Sequence, residues 1–478
     1  MVTRILRLLS VLSLTSFVAA CGGGSSGGTI SPPPPPPPPT SGWQQGVYDP
    51  YLNFFARCES PRPGTQDIQG SILEENNFLR SYSNDTYLWY DEIVDQDPGL
   101  FTDPVAYFGE LKTFEEIAPG VPKDPNSNHF TYDSEEWQLL QSGVSFGYGA
   151  EFVYVSLTIP REVLVAFVEP NTPAAQGNIA RGARIVGIDG FDIDTNTQAG
   201  VDALNAAFFS AQDGDTHTFS VLDLGAATPR DVEMTAGPVT QELVKNVDVI
   251  DTPTGRVGYL TFMRHRPPAE EAWVDAVNFF NAGQGIDDLV LDLRYNGGGL
   301  LGMAAQIAYM IAGPAQTNGK IFERLQFNDK HPTVDPVTGQ TIEPVPFETT
   351  TLGWENLPPG QPLPVLNLTR LFVLTGSGTC SASEAIMNGL RGAGVEVIQI
   401  GNTTCGKPYG FYPTDNCGTT YFTVQFKGVN AVGFGDYALG FSPATVDDGQ
   451  AQVAGCGVND DFTKPLGDPG ENRLEVAL

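Results

Sequence analysis

A serine at the start of a predicted helix is the first candidate for chemistry in this sequence. Ser381 lies in the segment 376–385, where small residues follow an apolar run and precede a helical pattern. The first N–H groups of a helix lack partners within the helix, and the helix dipole favours negative charge there. That position suits a nucleophile that reacts as an alkoxide. Glu384 also completes a Ser-x-x-Glu capping box, so a purely structural cap remains open as the alternative.

Lys407 is the candidate for the base that would activate this serine. It follows the next predicted strand, within the segment 403–408. Because a strand–helix–strand connection returns the chain to the same edge of a sheet, Lys407 is predicted to approach Ser381. A desolvated lysine has a lowered pKa and can accept the serine proton. The alternative, an ordinary surface lysine, is disfavoured because lysine is scarce here and this one stands between Gly406 and Pro408.

A run of three glycines, 297–299, also lies between a predicted strand and a predicted helix. With Gly302 it fits the G-x-G-x-x-G pattern of dinucleotide-binding sites. Such sites also have an acidic residue at the end of a strand about twenty positions later. Here the acidic residue is Glu323, which lies inside the run 320–325 and not at a clear strand end. Glycines without side chains can instead present backbone N–H groups to a developing oxyanion. We therefore predict an oxyanion loop here and expect no cofactor.

The elements that would position these residues form an α/β domain over residues 241–478. Apolar runs predict strands at 257–263, 289–294, 371–375 and 395–400. Helical patterns lie between them, one with Trp273, Val277 and Phe280 on a single face and one over 300–311. Strands that alternate with helices indicate an α/β sheet domain.

Two regions of different character precede this domain. Residues 43–137 are predicted to form a helical N-terminal domain, in which Ser71 and Glu74 have capping-box spacing. Residues 138–240 change to short β-rich runs, among them 151–157 and 164–168. By itself the helical region carries no chemistry that its sequence reveals.

The second of these regions resembles a PDZ domain. The resemblance lies in 169–177 and 181–190, where Pro-x-x-Pro-Ala-Ala is followed by Gly-x-x-Ile-x-x-Ile-x-Gly. It implies that a peptide C-terminus adds as a strand to a sheet edge and that a glycine-containing loop binds its carboxylate. That loop would be Phe146, Gly147, Tyr148 and Gly149. The alternative is a small β-domain that only packs against the rest.

Together these features resemble the C-terminal processing, or tail-specific, serine peptidases. The motifs that carry the resemblance are 169–190, 291–299, 381–384 and 404–407, and the similarity spans about 140–412 with a weaker part at 71–140. That family joins a PDZ domain to an α/β catalytic domain with crotonase-like βαβ repeats. The resemblance implies Ser381 as nucleophile, Lys407 as general base, and the N–H groups of Ala382 and Gly298 as the oxyanion hole.

One position departs from that family. Many members have a glutamine four residues after the lysine, which helps to orient it, whereas this sequence has Phe411. The orienting role must then pass to another group, such as a backbone carbonyl or the hydroxyl of Ser383. The resemblance implies an endopeptidase that recognises C-terminal tails and forms an acyl-enzyme on Ser381, and the N-terminal sequence described below predicts that it is membrane-tethered. The missing glutamine leaves open a non-catalytic peptide-binding lipoprotein that keeps the peptidase fold.

The N-terminus is predicted to be an export signal followed by a tether. Residues 1–20 combine two arginines with an apolar stretch too short to span a bilayer, and Val-Ala-Ala-Cys ends at Cys21. This resembles a bacterial lipoprotein box, in which the cysteine is lipidated. The segment 21–42 is rich in glycine and serine and contains eight consecutive prolines, so it would act as a spacer. We expect a lipid-anchored protein of the bacterial envelope, in the outer membrane and facing the periplasm or the cell surface.

The composition excludes several classes of partner. Lys and Arg number 25 against 56 Asp and Glu, which gives a formal net charge of −31. Nucleic acid is excluded because phosphate binding needs a basic surface, and so is a polybasic contact with lipid. The four histidines are far apart and no Cys-x-x-Cys pair occurs, so no metal site is predicted. The composition does not predict an oligomeric state.

The export signal permits disulfides, and five cysteines follow Cys21. Because the number is odd, at least one is unpaired within the chain. Cys405 and Cys417 are the predicted pair, since the segment 413–416 has the composition of a turn.

Overall fold

The computed structural model describes residues 42–209 and 212–478. The described residues do not include the predicted signal peptide 1–20 or Cys21. Of the predicted tether 21–42 they include only the last residue, Gly42. Among the described residues, none of the helices combines the length and the apolar character that a membrane crossing requires.

The C-terminal region is built on a seven-stranded sheet with the order β14-β15-β16-β19-β20-β26-β25. All neighbours run parallel except β14 and β15. The strands of the region are β14 Val244–Thr252, β15 Gly255–Phe262, β16 Asp288–Asp292, β17 Ile321–Phe327, β18 Val345–Pro346, β19 Arg370–Thr375, β20 Glu396–Gly401, β21 Tyr409–Gly410, β22 Thr414–Asn416, β23 Thr419–Phe422, β24 Phe426–Val429, β25 Ser442–Ala444 and β26 Gln452–Cys456. The helices are α6 Ala269–Asn281, α7 Leu301–Thr317, α8 Ala382–Gly392 and α9 Asn472–Ala477.

The parallel register brings three loops to one edge of this sheet. Asp292 of β16 pairs with Leu374 of β19, and Thr375 of β19 pairs with Gly401 of β20. The carboxyl ends of the three strands therefore lie side by side. The segments that follow them are the glycine run, the turn that carries Ser381 and the loop that carries Lys407. The predicted strands and their order along the chain are confirmed at this edge.

The helices cover the sheet through a large apolar core. Trp273 of α6, Met303 of α7 and Ile386 of α8 are buried with Leu291 of the sheet. Gly389 of α8 packs directly on the ring of Phe322, where a Cβ atom would come within 2.5 Å. This contact fixes β17 against α8, the helix that begins next to Ser381.

The middle region is a six-stranded antiparallel sheet with its own core. The strand order is β12-β11-β9-β8-β7, with β10 paired to β9, so β7 lies at an edge. The elements are β6 Val144–Gly147, β7 Ala150–Ser156, β8 Glu162–Val168, α4 Pro173–Gln176, β9 Arg184–Ile188, β10 Phe191–Asp192, α5 Gln198–Phe209, β11 Thr216–Leu222, β12 Arg230–Thr235 and β13 Gly237–Thr240. Ile185, Phe219 and Leu204 lie in its core.

The N-terminal region is less helical than the sequence predicts. Its elements are β1 Arg57–Cys58, β2 Ile68–Gln69, α1 Ile72–Thr86, α2 Pro104–Glu110, β3 Glu116–Ala118, β4 Val121–Pro122, β5 Phe130–Asp133 and α3 Ser134–Gln141, with short 3-10 turns at Tyr51–Asn53, Tyr90–Glu92 and Pro98–Leu100. The predicted cap of α1 is confirmed, since Ser71 Oγ accepts from Glu74 N. The strand β5 was not predicted; it pairs with β23 and so ties this region to the C-terminal one.

The predicted disulfide between Cys405 and Cys417 is wrong. Cys417 lies in the turn between β22 and β23 and bonds to Cys58 of β1, with 5.3 Å between the two Cα atoms. Cys405 bonds to Cys380, with a Cα separation of 5.2 Å. The 413–416 segment does form part of a hairpin, but that hairpin directs Cys417 toward the N-terminal region. Cys456 is free and exposed.

Candidate active site

The turn between β19 and α8 holds Ser381 in an unusual backbone conformation. Ser381 has φ 55° and ψ −116°, a region that residues with a Cβ atom rarely adopt. Such strain costs on the order of 1–3 kcal/mol and persists only where the surroundings enforce it. Cys380 N donates to Asn296 O at 3.1 Å, and Thr379 Oγ1 donates to Leu293 O at 2.8 Å. The turn is therefore held rigidly against the end of β16.

A buried carboxylate connects the Ser381 turn to the Lys407 loop. Glu384 is fully buried and accepts hydrogen bonds of 2.9 Å from the backbone N–H groups of Ser381, Gly406 and Lys407. Thr404 Oγ1 donates to the same carboxylate at 2.5 Å. Burial raises the pKa of Glu384, and these donors oppose that shift. The sequence identified this glutamate only as part of a capping box; the structure makes it the positioning residue for both loops.

The side chain of Lys407 is buried in a setting that disfavours its charge. Burial lowers the pKa of Lys407 to about 8, against the opposing influence of Asp124 and Glu384. Its Nζ donates to the carbonyl of Ser127 at 3.1 Å and lies 4.4 Å from the ring centre of Phe411. A lysine with this pKa is partly neutral near pH 8 and can act as a base.

A backbone carbonyl, that of Ser127, is the group that accepts a hydrogen bond from Lys407 Nζ. This carbonyl belongs to the N-terminal region, which the sequence did not implicate in chemistry. The alternative candidate, the Ser383 hydroxyl, is committed elsewhere, since it donates to Asn296 O at 3.0 Å. Nearby, Asp124 accepts from the hydroxyl of Tyr87 at 2.7 Å, and burial raises the pKa of Asp124 to about 6. A backbone carbonyl leaves no signature in a sequence, so no pattern could have identified Ser127.

Ser381 and Lys407 line one cavity of about 680 Å³. Among the described residues, no hydrogen bond joins Ser381 Oγ to Lys407 Nζ. The glycines 297–299 and Ala382 line the same space. Much of its remaining wall is aromatic, from Phe130, Tyr132, Trp137, Tyr409, Phe411, Tyr412, Phe422, Phe426 and Tyr437.

The glycine run approaches Ser381 so closely that a side chain is excluded. A Cβ atom on Gly298, which has φ +96°, would lie 2.8 Å from Ser381 Cβ and 3.0 Å from Ala382 N. The predicted use of the Gly298 N–H as an oxyanion donor is not supported by this geometry, because that N–H donates to Asn296 Oδ1 at 2.9 Å. Within the described part of the chain, the N–H groups of Ala382, Gly297 and Gly299 have no acceptor.

His265 is the one histidine that lines this cavity. It is fully buried, and burial lowers its pKa to about 3. Its Nδ1 lies 3.2 Å from Asn296 Oδ1. His265 is therefore neutral at physiological pH and too weak a base to account for a titration near neutrality.

The predicted peptide-binding loop lies away from this cavity. Phe146 and Gly147 end β6, Tyr148 is buried, and Gly149, with φ +81°, leads into the edge strand β7. The N–H groups of Tyr148 and Gly149 have no acceptor among the residues that the structure describes. None of the four residues lines the cavity that contains Ser381. The loop thus places two unpaired donors next to an open sheet edge.

The side chains of Cys380, Glu384 and Cys405 form a cluster of residue types that bind metals. Both sulfur atoms belong to the disulfide, so neither is available as a thiolate ligand. Glu384 is already committed to backbone donors. The donor set does not fit a metal ion.

Part of the chain matches a known peptidase family. Residues 256–413 match the model of peptidase family S41, a segment that contains the glycine run, Ser381 and Lys407. The chain is 29% identical over 239 residues to the carboxyl-terminal-processing protease of Picosynechococcus sp. (strain ATCC 27264 / PCC 7002 / PR-6). That match covers 50% of this chain and 49% of the other, so the chain spans about half the length of the curated relative it matches.

Two solved structures were compared with this chain, and one of them has a similar fold. A protein of Bacteroides fragilis NCTC 9343 assigned to the S41 proteases has a TM-score of 0.61 and 20% identity, covering 87% of this chain and 98% of its own. The photosystem II D1 C-terminal processing protease has a TM-score of 0.45 and 19% identity, covering 80% of this chain and 94% of its own. The first of these shows a shared α/β fold. The family match is confined to residues 256–413, the segment that holds the candidate site.

Proposed function

We propose that this protein is a serine peptidase in which Ser381 is the nucleophile and Lys407 the general base. One observation carries the proposal: a strained serine at a helix start lines the same cavity as a buried lysine that is only 8% exposed. The strain of Ser381 and the lowered pKa of Lys407 both cost stability, and neither is needed for a fold that only packs. The S41 match over 256–413 supports the same assignment.

The proposed reaction passes through an acyl-enzyme. The neutral amine of Lys407 takes the hydroxyl proton of Ser381 while Oγ bonds to the carbonyl carbon of the peptide. The resulting ammonium gives this proton to the leaving amine as the C–N bond breaks. Water then attacks the ester by the same route and releases the second product. The hydrogen bond from Nζ to Ser127 O would hold the lysine so that its lone pair is directed into the cavity.

Two backbone donors would stabilise the tetrahedral oxyanion. Ala382 N is one, because it begins α8 beside Ser381 and has no acceptor among the described residues. We assign the second to Gly299, because its N–H has no acceptor in the described part of the chain and because it directly follows Gly298, where no Cβ atom would fit against Ser381. Loss of one such donor typically costs ~100- to 1,000-fold in turnover.

The test is peptide hydrolysis by Ser381→Ala and Lys407→Ala. Each is expected to abolish turnover while the protein stays folded, because losing one member of a catalytic unit costs nearly as much as losing both. Ser377→Ala is the matched control, since Ser377 lies in the same turn but is exposed. A Ser381→Ala protein with wild-type turnover would refute the mechanism. An inert wild type that still binds peptides would favour the non-catalytic alternative.

We further propose that the region 138–240 captures substrates by their C-terminal tails. The edge strand β7 would pair with the tail, and the N–H groups of Tyr148 and Gly149 would bind its carboxylate. Binding of a peptide is therefore expected to weaken when its C-terminus is amidated, as measured by fluorescence anisotropy. Equal affinity for the acid and the amide would exclude carboxylate recognition.

We also propose that a lipid on Cys21 anchors the protein to the bacterial envelope. The support is the Val-Ala-Ala-Cys sequence and the spacer that follows it. Cys21→Ser is expected to leave the membrane fraction and to keep its activity on a soluble peptide. A Cys21→Ser protein that still sediments with membranes in high salt would exclude the lipid anchor.

A further inference from the structure

One wall of the cavity carries a carboxyl group that the proposed mechanism does not use. Glu323 lines the cavity and is only 5% exposed. Among the described residues, its side-chain oxygens have no hydrogen-bond donor and no ion-pair partner. Buried carboxyl groups are normally paired, because leaving one without a partner is costly. The carboxyl group is therefore available to a ligand that enters the cavity.

Glu323 lines the same cavity as Ser381 and Lys407. Glu323 belongs to β17, and its neighbour Phe322 packs against Gly389 of α8. Ala385 lines the cavity one helical turn after Ala382, between the helix start and this contact. The wall from Ser381 to Glu323 is thus the first turns of α8.

Space around the carboxyl is maintained by a glycine. A Cβ atom on Gly428 of β24 would lie 1.8 Å from Glu323 Oε1, so no other residue fits there without moving the carboxyl. Leu325 and Val345 contribute apolar lining on the same side of the cavity. A polar group at the end of an apolar wall is the usual arrangement for binding a long side chain with a polar tip.

The electrostatics indicate the charge of the missing partner. Burial raises the pKa of Glu323 to about 8, and no described cation lowers it. Burial and then the negative charge of Glu323 raise the pKa of Tyr437, which also lines the cavity. A cation brought to this place would satisfy the carboxyl and favour its charged form.

We infer that Glu323 is a specificity-determining residue that binds the side chain of a lysine or arginine next to the peptide bond that is cut. This inference rests on the proposed peptidase function. The aliphatic stem would pack along Leu325 and Val345, and the charged tip would donate to the Glu323 carboxylate. The formal net charge of −31 further favours basic segments of a substrate.

The test compares cleavage sites of the full-length protein with those of Glu323→Gln. Matched fluorogenic peptides would differ at one position, carrying Lys, Arg, Gln or Leu, after mass spectrometry of a peptide library locates the cuts. The isosteric Glu323→Gln is expected to lower the Lys-to-Leu ratio of kcat/KM by roughly 10- to 100-fold, the range for a hydrogen bond to a charged group. Glu343→Gln, an exposed glutamate, serves as the control and should keep the wild-type ratio.

A measurement on the wild type keeps the test decisive if Glu323→Gln folds poorly. The peptide library shows directly whether Lys or Arg is preferred over Gln and Leu next to the bond that is cut. Wild-type cleavage without a preference for Lys or Arg, or an unchanged ratio in Glu323→Gln, would overturn the inference and leave the peptidase proposal intact. If no peptide in the library is cut, the proposed function itself fails.

Discussion

The pH dependence of peptide hydrolysis follows directly from the burial of Lys407. Burial lowers its pKa from 10.5 to about 8, and only the neutral amine can take the Ser381 proton. About 1% of the lysine is neutral at pH 6 and about half at pH 8. We therefore expect kcat/KM to rise roughly 50-fold between these pH values and to level off above about pH 9.

The lowered pKa also has a cost in stability. A shift from 10.5 to about 8 corresponds to roughly 3 kcal/mol at 1.36 kcal/mol per pKa unit. Between pH 8 and pH 10.5 the unfolded chain binds more protons than the folded one, so the free energy of unfolding should rise with pH there. Below pH 8 the folded protein carries a buried ammonium, and the full cost is present.

The assay is kcat/KM for a fluorogenic peptide from pH 5.5 to 9.5, with a substrate that has no group titrating in this range. Lys427→Met is the matched control, because Lys427 is paired with Asp436 at the surface and should not change the profile. An acid limb centred near 6.5 would contradict the assignment. If that limb disappeared in His265→Ala, the base role would pass to His265.

Three further predictions concern stability and the geometry of the site. Lys407→Met should abolish hydrolysis. It should also raise the free energy of unfolding at pH 7 by about 2–3 kcal/mol, measured by urea denaturation, because it removes a desolvated charge. A less stable variant would show that Lys407 is structurally required. Replacing Cys380 and Cys405 together by serine should lower kcat/KM at least 10-fold, because their disulfide joins the Ser381 turn to the Lys407 loop. Replacing Cys58 and Cys417 by serine should lower stability more than it lowers turnover. Equal effects of the two double variants on kcat/KM would contradict this prediction. Gly298→Ala should abolish hydrolysis, because the new Cβ atom would lie 2.8 Å from Ser381 Cβ. Gly297→Ala should keep most of the activity, because a Cβ atom there has no neighbour within 4 Å. An active Gly298→Ala protein would mean that the close contact is not needed.

The parts of the site that follow strands could be predicted from the sequence. Apolar runs that end in glycine or small residues mark β16, β19 and β20, and parallel pairing forces their ends to one edge. This is why Lys407 could be placed next to Ser381 without a structure, whereas the glycine run was joined to them through the family resemblance. The strands of the middle region were predictable for the same reason, because 151–157 and 164–168 are short and rich in β-branched or aromatic residues.

The contacts that refine the site depend on groups with no sequence signature. The carbonyl of Ser127 reaches Lys407 only because β5 pairs with β23, a long-range contact that local patterns do not encode. The disulfide partners were mispredicted because a turn brings its own ends together but says nothing of which distant cysteine faces them. Whether the Gly298 N–H is free to bind an oxyanion depends on the rotamer of Asn296, because Asn296 Oδ1 accepts a hydrogen bond from that N–H.

The most direct test of the central claim is to locate a covalent adduct with a serine-reactive fluorophosphonate. We predict a single labelled peptide carrying the adduct on Ser381, with labelling lost in Ser381→Ala and strongly slowed in Lys407→Ala. Labelling on another residue, or hydrolysis by a Ser381→Ala protein that no longer reacts with the probe, would contradict a Ser381 acyl-enzyme.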